Sequence, residues 1–153
     1  MTPQNQASAH SATPTIVNPP HLHDPTPNGY SMAVVIPNAG RLAFISGQGG
    51  QDRTGNLSPD FAAQVEQAYT NLAAVLEALG ARPEQVVKLT VFVVDHDMSK
   101  LGVLTENVTR MFGATLPAQT LVPVPKLAID PFSSRSRPPC SWIDCSTAAP
   151  ISI

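Results

Sequence analysis

The chain has 153 residues, of which 42% are hydrophobic and 13% charged, so it can bury one core of ordinary size. Its formal net charge of -2 provides no basic field for holding phosphates, which disfavours nucleic acid as a partner. No apolar run reaches the roughly 18 residues of a membrane span, and the polar first residues lack the apolar core of a secretory signal. We therefore expect a single-domain cytoplasmic protein with no membrane partner.

The first part of the chain, residues 1–28, is rich in Pro, Ser, Thr, Asn and His, a composition typical of a flexible arm. The arm contains His21 and His23, which are predicted to be solvated. Two apolar segments follow, Met32–Ile36 and Arg41–Ser46, separated by a short Pro-Asn-Ala-Gly turn. This pattern predicts two strands joined as a hairpin.

A long amphipathic helix is predicted after a polar loop. Ser58 is expected as its N-cap, with Pro59 in the first turn and Asp60 favourable near the positive end of the helix dipole. Gly80 is expected to end the helix. The apolar stripe that faces the core follows three- and four-residue steps: Phe61, Val65, Ala68, Leu72, Val75, Leu76 and Leu79.

The remaining elements complete a β-β-α-β-α-β order. Val86–Val94 is almost continuously apolar and β-branched, which predicts a strand covered on both faces. A second helix is predicted from Ser99 to Phe112, burying Leu101, Leu104, Val108 and Met111. Thr120–Val124 is predicted as a short strand at a sheet edge, because Pro123 cannot donate a ladder hydrogen bond. The order favours an α+β sandwich with two helices on one face of a mixed sheet.

Several short motifs occur in register along the chain. They are Gly29-Tyr30-Ser31, Phe44-Ile-Ser-Gly-Gln48, Asp60-Phe-Ala-Ala-Gln64 with Gln67-Ala68 and Asn71-Leu72, Gly80-Ala81, Val86-Val-Lys-Leu-Thr-Val-Phe92, and Leu116-Pro-Ala-Gln-Thr120. Together they resemble the RidA/YjgF family, also known as the endoribonuclease L-PSP type, over residues 29–132. The resemblance implies a chorismate-mutase-like fold and a homotrimer with small-molecule clefts between subunits. Family deaminases hydrolyse enamines and imines such as 2-aminoacrylate to keto acids and ammonia, and some members have been described as endoribonucleases.

The resemblance also implies which residues line the cleft: Tyr30, Gly47, Thr105, Gln119 and Leu121. Thr105 stands where the family often carries Asn, and Asn107 lies close by as the alternative. Gln119 stands where the deaminase pattern has Arg, and Lys126 lies further along the chain. Replacing a charge-assisted pair by a neutral hydrogen bond weakens carboxylate anchoring by about 1–3 kcal/mol, a factor of about 5 to 150. No catalytic residue is assigned.

No metal or cofactor is expected. His96 lies between Asp95 and Asp97, but the side chains of consecutive residues point in different directions and rarely converge on one ion. Cys140 and Cys145 lack the second Cys or His pair of a zinc site.

The tail, residues 133–153, departs from the family pattern, which ends on a strand of the form Leu-Val-Glu-Val-Glu-Ala whose first Glu is proposed to position the hydrolytic water. Here Phe132 is followed by Ser-Ser-Arg-Ser-Arg-Pro-Pro-Cys, and adjacent prolines exclude a central strand. Shifted by one base, codons for this stretch can encode Phe-Leu-Val-Glu-Val-Glu-Ala-Ala-Val. We hypothesise a frameshift, which sequencing the coding DNA tests; the alternative is a genuinely divergent tail. With this tail, the sheet is expected to lack its last strand and the cleft its carboxylate.

Three functions stay open from the sequence. The first is a hydrolase or deaminase for a small enamine, imine or related metabolite, and it is placed slightly ahead. The second is a non-catalytic member that binds a small metabolite or a partner protein. The third, an endoribonuclease, is least supported because basic clusters are lacking. Gln119 argues against the standard 2-aminoacrylate reaction and leaves room for an uncharged or bulkier substrate.

Overall fold

The structure is a computed structural model that describes residues 14–36, 42–127 and 141–148. Within these ranges it contains the helices α1 (Phe61–Ala78) and α2 (Met98–Phe112). The strands are β1 (Thr15–Val17), β2 (Ala33–Val35), β3 (Leu42–Gln48), β4 (Val86–Val94), β5 (Ala118–Val124) and β6 (Ser141–Ala148). Short 3-10 turns cover Thr26–Asn28 and Pro83–Gln85.

The main sheet has four strands in the order β3-β6-β4-β5. Strand β4 runs parallel to β5, and β6 runs antiparallel to both of its neighbours, so the sheet is mixed. Strand β4 has the predicted bounds, and β5 lies at the sheet edge as Pro123 indicated. The predicted α+β sandwich is confirmed.

The core lies between one face of this sheet and the two helices. From the sheet it takes Ile45, Leu89, Val91, Val93 and Ile143, and from the helices Val65, Ala68, Leu72, Leu76, Leu104, Val108 and Phe112. Each fully buried Val, Leu, Ile or Phe side chain contributes about 1.5–3 kcal/mol of transfer free energy. The apolar stripes of the two helices and the side chains of Leu89, Val91 and Val93 on β4 therefore pack together in one apolar layer.

The opposite face of the sheet is open in the single chain. Phe44 is 80% exposed there, Leu42 is 49% exposed, and Phe92 is half-buried. The expectation that β4 is covered on both faces is therefore wrong for one chain: Leu89, Val91 and Val93 are covered, whereas Lys88, Thr90 and Phe92 on the other face are partly exposed.

The predicted N-terminal hairpin is also wrong. Strand β2 pairs antiparallel with β1, with Ile16 opposite Val34, and β3 instead pairs with β6. Residues 14–28 of the predicted arm thus include a strand and a 3-10 turn, while residues 1–13 lie outside the described ranges. Alternating apolar residues identified the strands, but alternation carries no information about which strand pairs with which.

The expectation that the sheet lacks its last strand is wrong as well. Strand β6 lies between β3 and β4, and Ile143 on it is fully buried. The expectation rested on the prolines of residues 133–140, which lie outside the described ranges. The strand forms after these prolines, in a segment whose backbone can donate to both neighbours.

Candidate functional site

Tyr30 lies in a segment that is fixed by its neighbours on both sides. Gly29 has a φ of +75°, and a Cβ at this position would lie 2.4 Å from Cγ1 of Val108 on α2. On the other side, the Ser31 amide donates to the carbonyl oxygen of Pro117 at 2.9 Å, and the Ser31 hydroxyl donates to that of Leu116. The segment is therefore clamped between α2 and the start of β5.

Gln119 and Leu121 both lie on the helix-covered face of β5, opposite Leu89 and Val91 of β4. Leu121 is half-buried and packs against the core. The Oε1 atom of Gln119 is buried and has no hydrogen-bond partner among the described residues. A buried acceptor without a donor carries a desolvation cost, which a ligand or a water molecule that donates to it would remove. Gln119 is thus an unsatisfied polar group beside the Tyr30 segment.

The structure distinguishes between the two candidates on α2. The Cγ2 atom of Thr105 lies 3.6 Å from the position that a Cβ on Gly29 would take, so Thr105 adjoins the Tyr30 segment. Asn107 instead donates to the Val103 carbonyl at 2.9 Å and accepts from Arg110 at 3.4 Å. Residues two apart on a helix face different directions. Thr105, rather than Asn107, therefore lies next to the segment that bears Tyr30.

Gly47 lies at the other edge of the sheet. It is part of β3, next to the irregularity between Ile45 and Gln48, and two strands separate β3 from β5. At about 4.8 Å between neighbouring strands, the distance across the sheet is about 14 Å. The structure thus brings together Tyr30, Thr105, Gln119 and Leu121 and leaves Gly47 apart, so one chain does not assemble all five predicted positions.

Neither Lys88 nor Lys126, the two lysines near Gln119 in the sheet or in the sequence, pairs with it among the described residues. Lys88 hydrogen-bonds to Thr120, which lies on the opposite face of the sheet from Gln119. Among the described residues, neither Lys126 nor any other Lys or Arg forms a hydrogen bond with Gln119. Within the described part of the chain, Gln119 therefore has no charged hydrogen-bond partner.

One contact was missed from the sequence. His23, predicted to be solvated, lies with its Nε2 atom 2.7 Å from the Tyr30 hydroxyl. The turn that brings them together begins at Asp24, whose carboxylate accepts hydrogen bonds from the Thr26 hydroxyl and amide; these bonds lower the pKa of Asp24. The Asp-Pro-Thr-Pro sequence was a signal for this turn.

A cavity of about 250 Å³ lies between α1 and α2. Its lining includes Glu66, Tyr69, Asn107 and Arg110, and Arg110 pairs with Glu106 at 2.7 Å. Burial raises the pKa of the Tyr69 hydroxyl. This cavity includes none of the five predicted ligand residues.

Residues 14–36, 42–127 and 141–148 contain neither a metal-binding cluster nor a helix able to span a membrane. Within them, no group of three or more His, Cys, Asp or Glu side chains is arranged to hold a metal ion. Neither helix there combines the length and apolar character needed to cross a bilayer.

Comparison with known proteins identifies the family. The sequence profile described as Endoribonuclease L-PSP matches residues 22–132. The chain belongs to the RidA/YjgF family. The 2-iminobutanoate/2-iminopropanoate deaminase of Escherichia coli K12 is 31% identical over 121 residues, 78% of this chain and 90% of the relative. A RutC family protein of Pyrococcus horikoshii is 36% identical over 109 residues, 69% of this chain and 82% of the relative.

Solved structures of the family share the fold. A conserved Rid family protein from Yersinia pestis has a TM-score of 0.80 and 29% identity, covering 89% of this chain and 98% of its own. The predicted chorismate-mutase-like architecture is therefore confirmed, and the RidA/YjgF motifs in the sequence were correctly identified.

Proposed function

We propose that this chain is an imine or enamine hydrolase of the RidA type, acting on a small substrate that does not depend on a cleft arginine. The observation that carries the proposal is the unsatisfied Oε1 of Gln119, buried beside the clamped Tyr30 segment. The names of relatives that span most of the chain support the reaction class. A neutral amide at this position favours a substrate held by hydrogen bonds over one held by ion pairing.

The site is proposed to be completed by other copies of the chain in a homotrimer. Two features support this assembly: Gly47 lies about 14 Å from the β5 edge within one chain, and the sheet face that bears Phe44 is open. Besides Phe44, the open face carries Leu42 of β3 and Phe92 of β4, so it offers an apolar patch that a second subunit can cover. The ligand is then expected between subunits, in the cytoplasm.

Two matched substitutions test the assembly by light scattering after size-exclusion chromatography. Phe44 is 80% exposed on the open sheet face, and Met98 is 76% exposed at the start of α2. Phe44→Glu is expected to lower the mass from trimer to monomer, whereas Met98→Glu leaves the trimer intact. A wild-type monomer, or an unchanged mass for Phe44→Glu, would contradict the proposed assembly.

The chemistry is tested with 2-iminopropanoate and 2-iminobutanoate generated in the assay by an amino-acid oxidase or dehydratase. Keto-acid release above the spontaneous rate is expected from the wild type. Gln119→Arg is expected to raise kcat/KM for these carboxylates by about 5- to 150-fold, because it restores a charge-assisted pair. Ala74→Arg, on the exposed side of α1, adds the same charge elsewhere and is the control. No activity in either wild type or Gln119→Arg would refute the hydrolase.

A non-catalytic binding function is the second candidate, because Gln119 can hold a ligand without activating water. It predicts saturable binding of keto acids or amides by the wild type with no turnover. An endoribonuclease activity has the least support, since the net charge of -2 offers little attraction to a phosphate backbone.

A further inference from the structure

The His23 and Tyr30 side chains form a pair at the surface beside the candidate site. The His23 Nε2 atom and the Tyr30 hydroxyl oxygen lie 2.7 Å apart. The two rings meet edge to face at 62°, with centroids 6.3 Å apart. The separation is that of a direct hydrogen bond, so the imidazole holds the free end of the phenol.

The backbone on either side of this pair is anchored. Asp24 accepts from Thr26, and the adjacent Pro25 is fully buried. Gly29 packs against Val108, and Ser31 hydrogen-bonds to the chain at the start of β5. These contacts fix the backbone around both partners, but none of them acts on the two side-chain torsions of Tyr30. The hydrogen bond to His23 supplies the missing restraint.

We propose that His23 is a positioning residue for the ligand site, fixing the Tyr30 hydroxyl so that a ligand at Gln119 meets an oriented oxygen atom. The inference rests on the proposed function and names the substrate chemistry of that site. In its neutral form with the proton on Nδ1, His23 accepts the Tyr30 O–H, and the phenol oxygen keeps its lone pairs for the ligand. Gln119 Oε1 is a second acceptor without a donor. Two acceptors select a ligand with N–H groups, such as the amino group of an enamine.

The first test is steady-state kinetics on 2-iminopropanoate with the full chain. Losing one neutral hydrogen bond corresponds to about a 2- to 12-fold change. His23→Ala is expected to raise KM by about that factor with kcat nearly unchanged, and His23→Gln, whose amide oxygen can accept the same proton, to restore it. His21→Ala, in the same segment, is the control. An unchanged KM for His23→Ala, or a failure of His23→Gln to restore it, would overturn the proposal.

A double mutant separates positioning from any other role of the imidazole. In a Tyr30→Phe background, His23→Ala is expected to add no further loss, because the hydroxyl that it positions is already gone. An equal loss in both backgrounds would overturn the inference. Thermal unfolding of His23→Ala is expected to match the wild type, since the side chain is exposed.

The pair is also tested without any turnover. The ¹⁵N chemical shifts of the His23 ring are expected to differ between wild type and Tyr30→Phe, and identical shifts would overturn the proposal whatever the activity. A wild type that neither turns over imines nor binds pyruvate, yet shows this difference, would instead refute the proposed function. The two failures are therefore distinguishable.

Discussion

Gly29 is the position where a single methyl group should cost most for its size. Its φ of +75° is left-handed, which costs an L-residue about 1–2 kcal/mol. In Gly29→Ala the new Cβ would lie 2.4 Å from Cγ1 of Val108, which is fully buried and β-branched, and therefore has little freedom to rotate away. Overpacking of this kind costs about 1–3 kcal/mol. The expected loss in the free energy of unfolding is about 2–5 kcal/mol.

Two other glycines separate the two contributions. Gly55 has a φ of +86° with nothing within 4 Å of the added Cβ, so Gly55→Ala should lose only the conformational cost of about 1–2 kcal/mol. Gly102 lies inside α2 with open space around it, so Gly102→Ala should gain about 0.5–1 kcal/mol. Urea unfolding followed by circular dichroism, at one protein concentration, measures all three variants. If Gly29→Ala loses no more than Gly55→Ala, the close packing of this segment on α2 is refuted.

Two further predictions concern the helix starts. Asp60→Ala is expected to lower the free energy of unfolding by about 0.5–2 kcal/mol, because the Asp60 carboxylate accepts a hydrogen bond from the Ala63 amide at 2.8 Å. Ser58→Ala is expected to lower it by less, and the reverse order in urea unfolding would contradict the observed cap. Hydrogen bonds from Ser99 hold the pKa of Asp97 below its usual value of 3.8. The contribution of the Asp97 carboxylate to folding stability is therefore present above pH 3.8 and lost as the pH falls through the lowered pKa. Asp97→Asn should make the free energy of unfolding fall less steeply with acid, and an identical pH profile for the variant and the wild type would contradict this.

The elements whose positions follow from local pattern were predictable. The nine-residue β4 was identified because a nearly continuous apolar and β-branched run favours an extended conformation, and α1 because its apolar stripe repeats at helical spacing. The start of α1 was misplaced by two residues. Ser58 and Asp60 are both strong N-caps, and only the geometry shows that Asp60 accepts the helix amide while Ser58 accepts from Asp60.

The pairing of strands that lie far apart in the sequence was not predictable. Strand β3 pairs with β6, about a hundred residues later, whereas sequence proximity suggested β2. The same limitation affected the site, because the strand order that separates Gly47 from Gln119 is not encoded in either strand's pattern. The contact between His23 and Tyr30 depends on the turn around the buried Pro25, and the sequence does not specify the direction in which this turn leads the chain.

The substitution of Gln119 for the family arginine is the most informative departure in the chain. The sequence resemblance implies a permanent positive charge at this position in the family's deaminases; here the position carries an amide whose oxygen has no partner among the described residues. A family scaffold with this change should discriminate little in favour of carboxylates.

Calorimetric titration of pyruvate and its neutral amide, pyruvamide, into the wild type and Gln119→Arg tests this account most directly. The wild type is expected to bind pyruvamide, which carries N–H donors, at least as tightly as pyruvate, and Gln119→Arg to bind pyruvate about 5- to 150-fold more tightly than the wild type with little change for pyruvamide. Equal pyruvate affinities for the two proteins would contradict the placement of Gln119 in the ligand site.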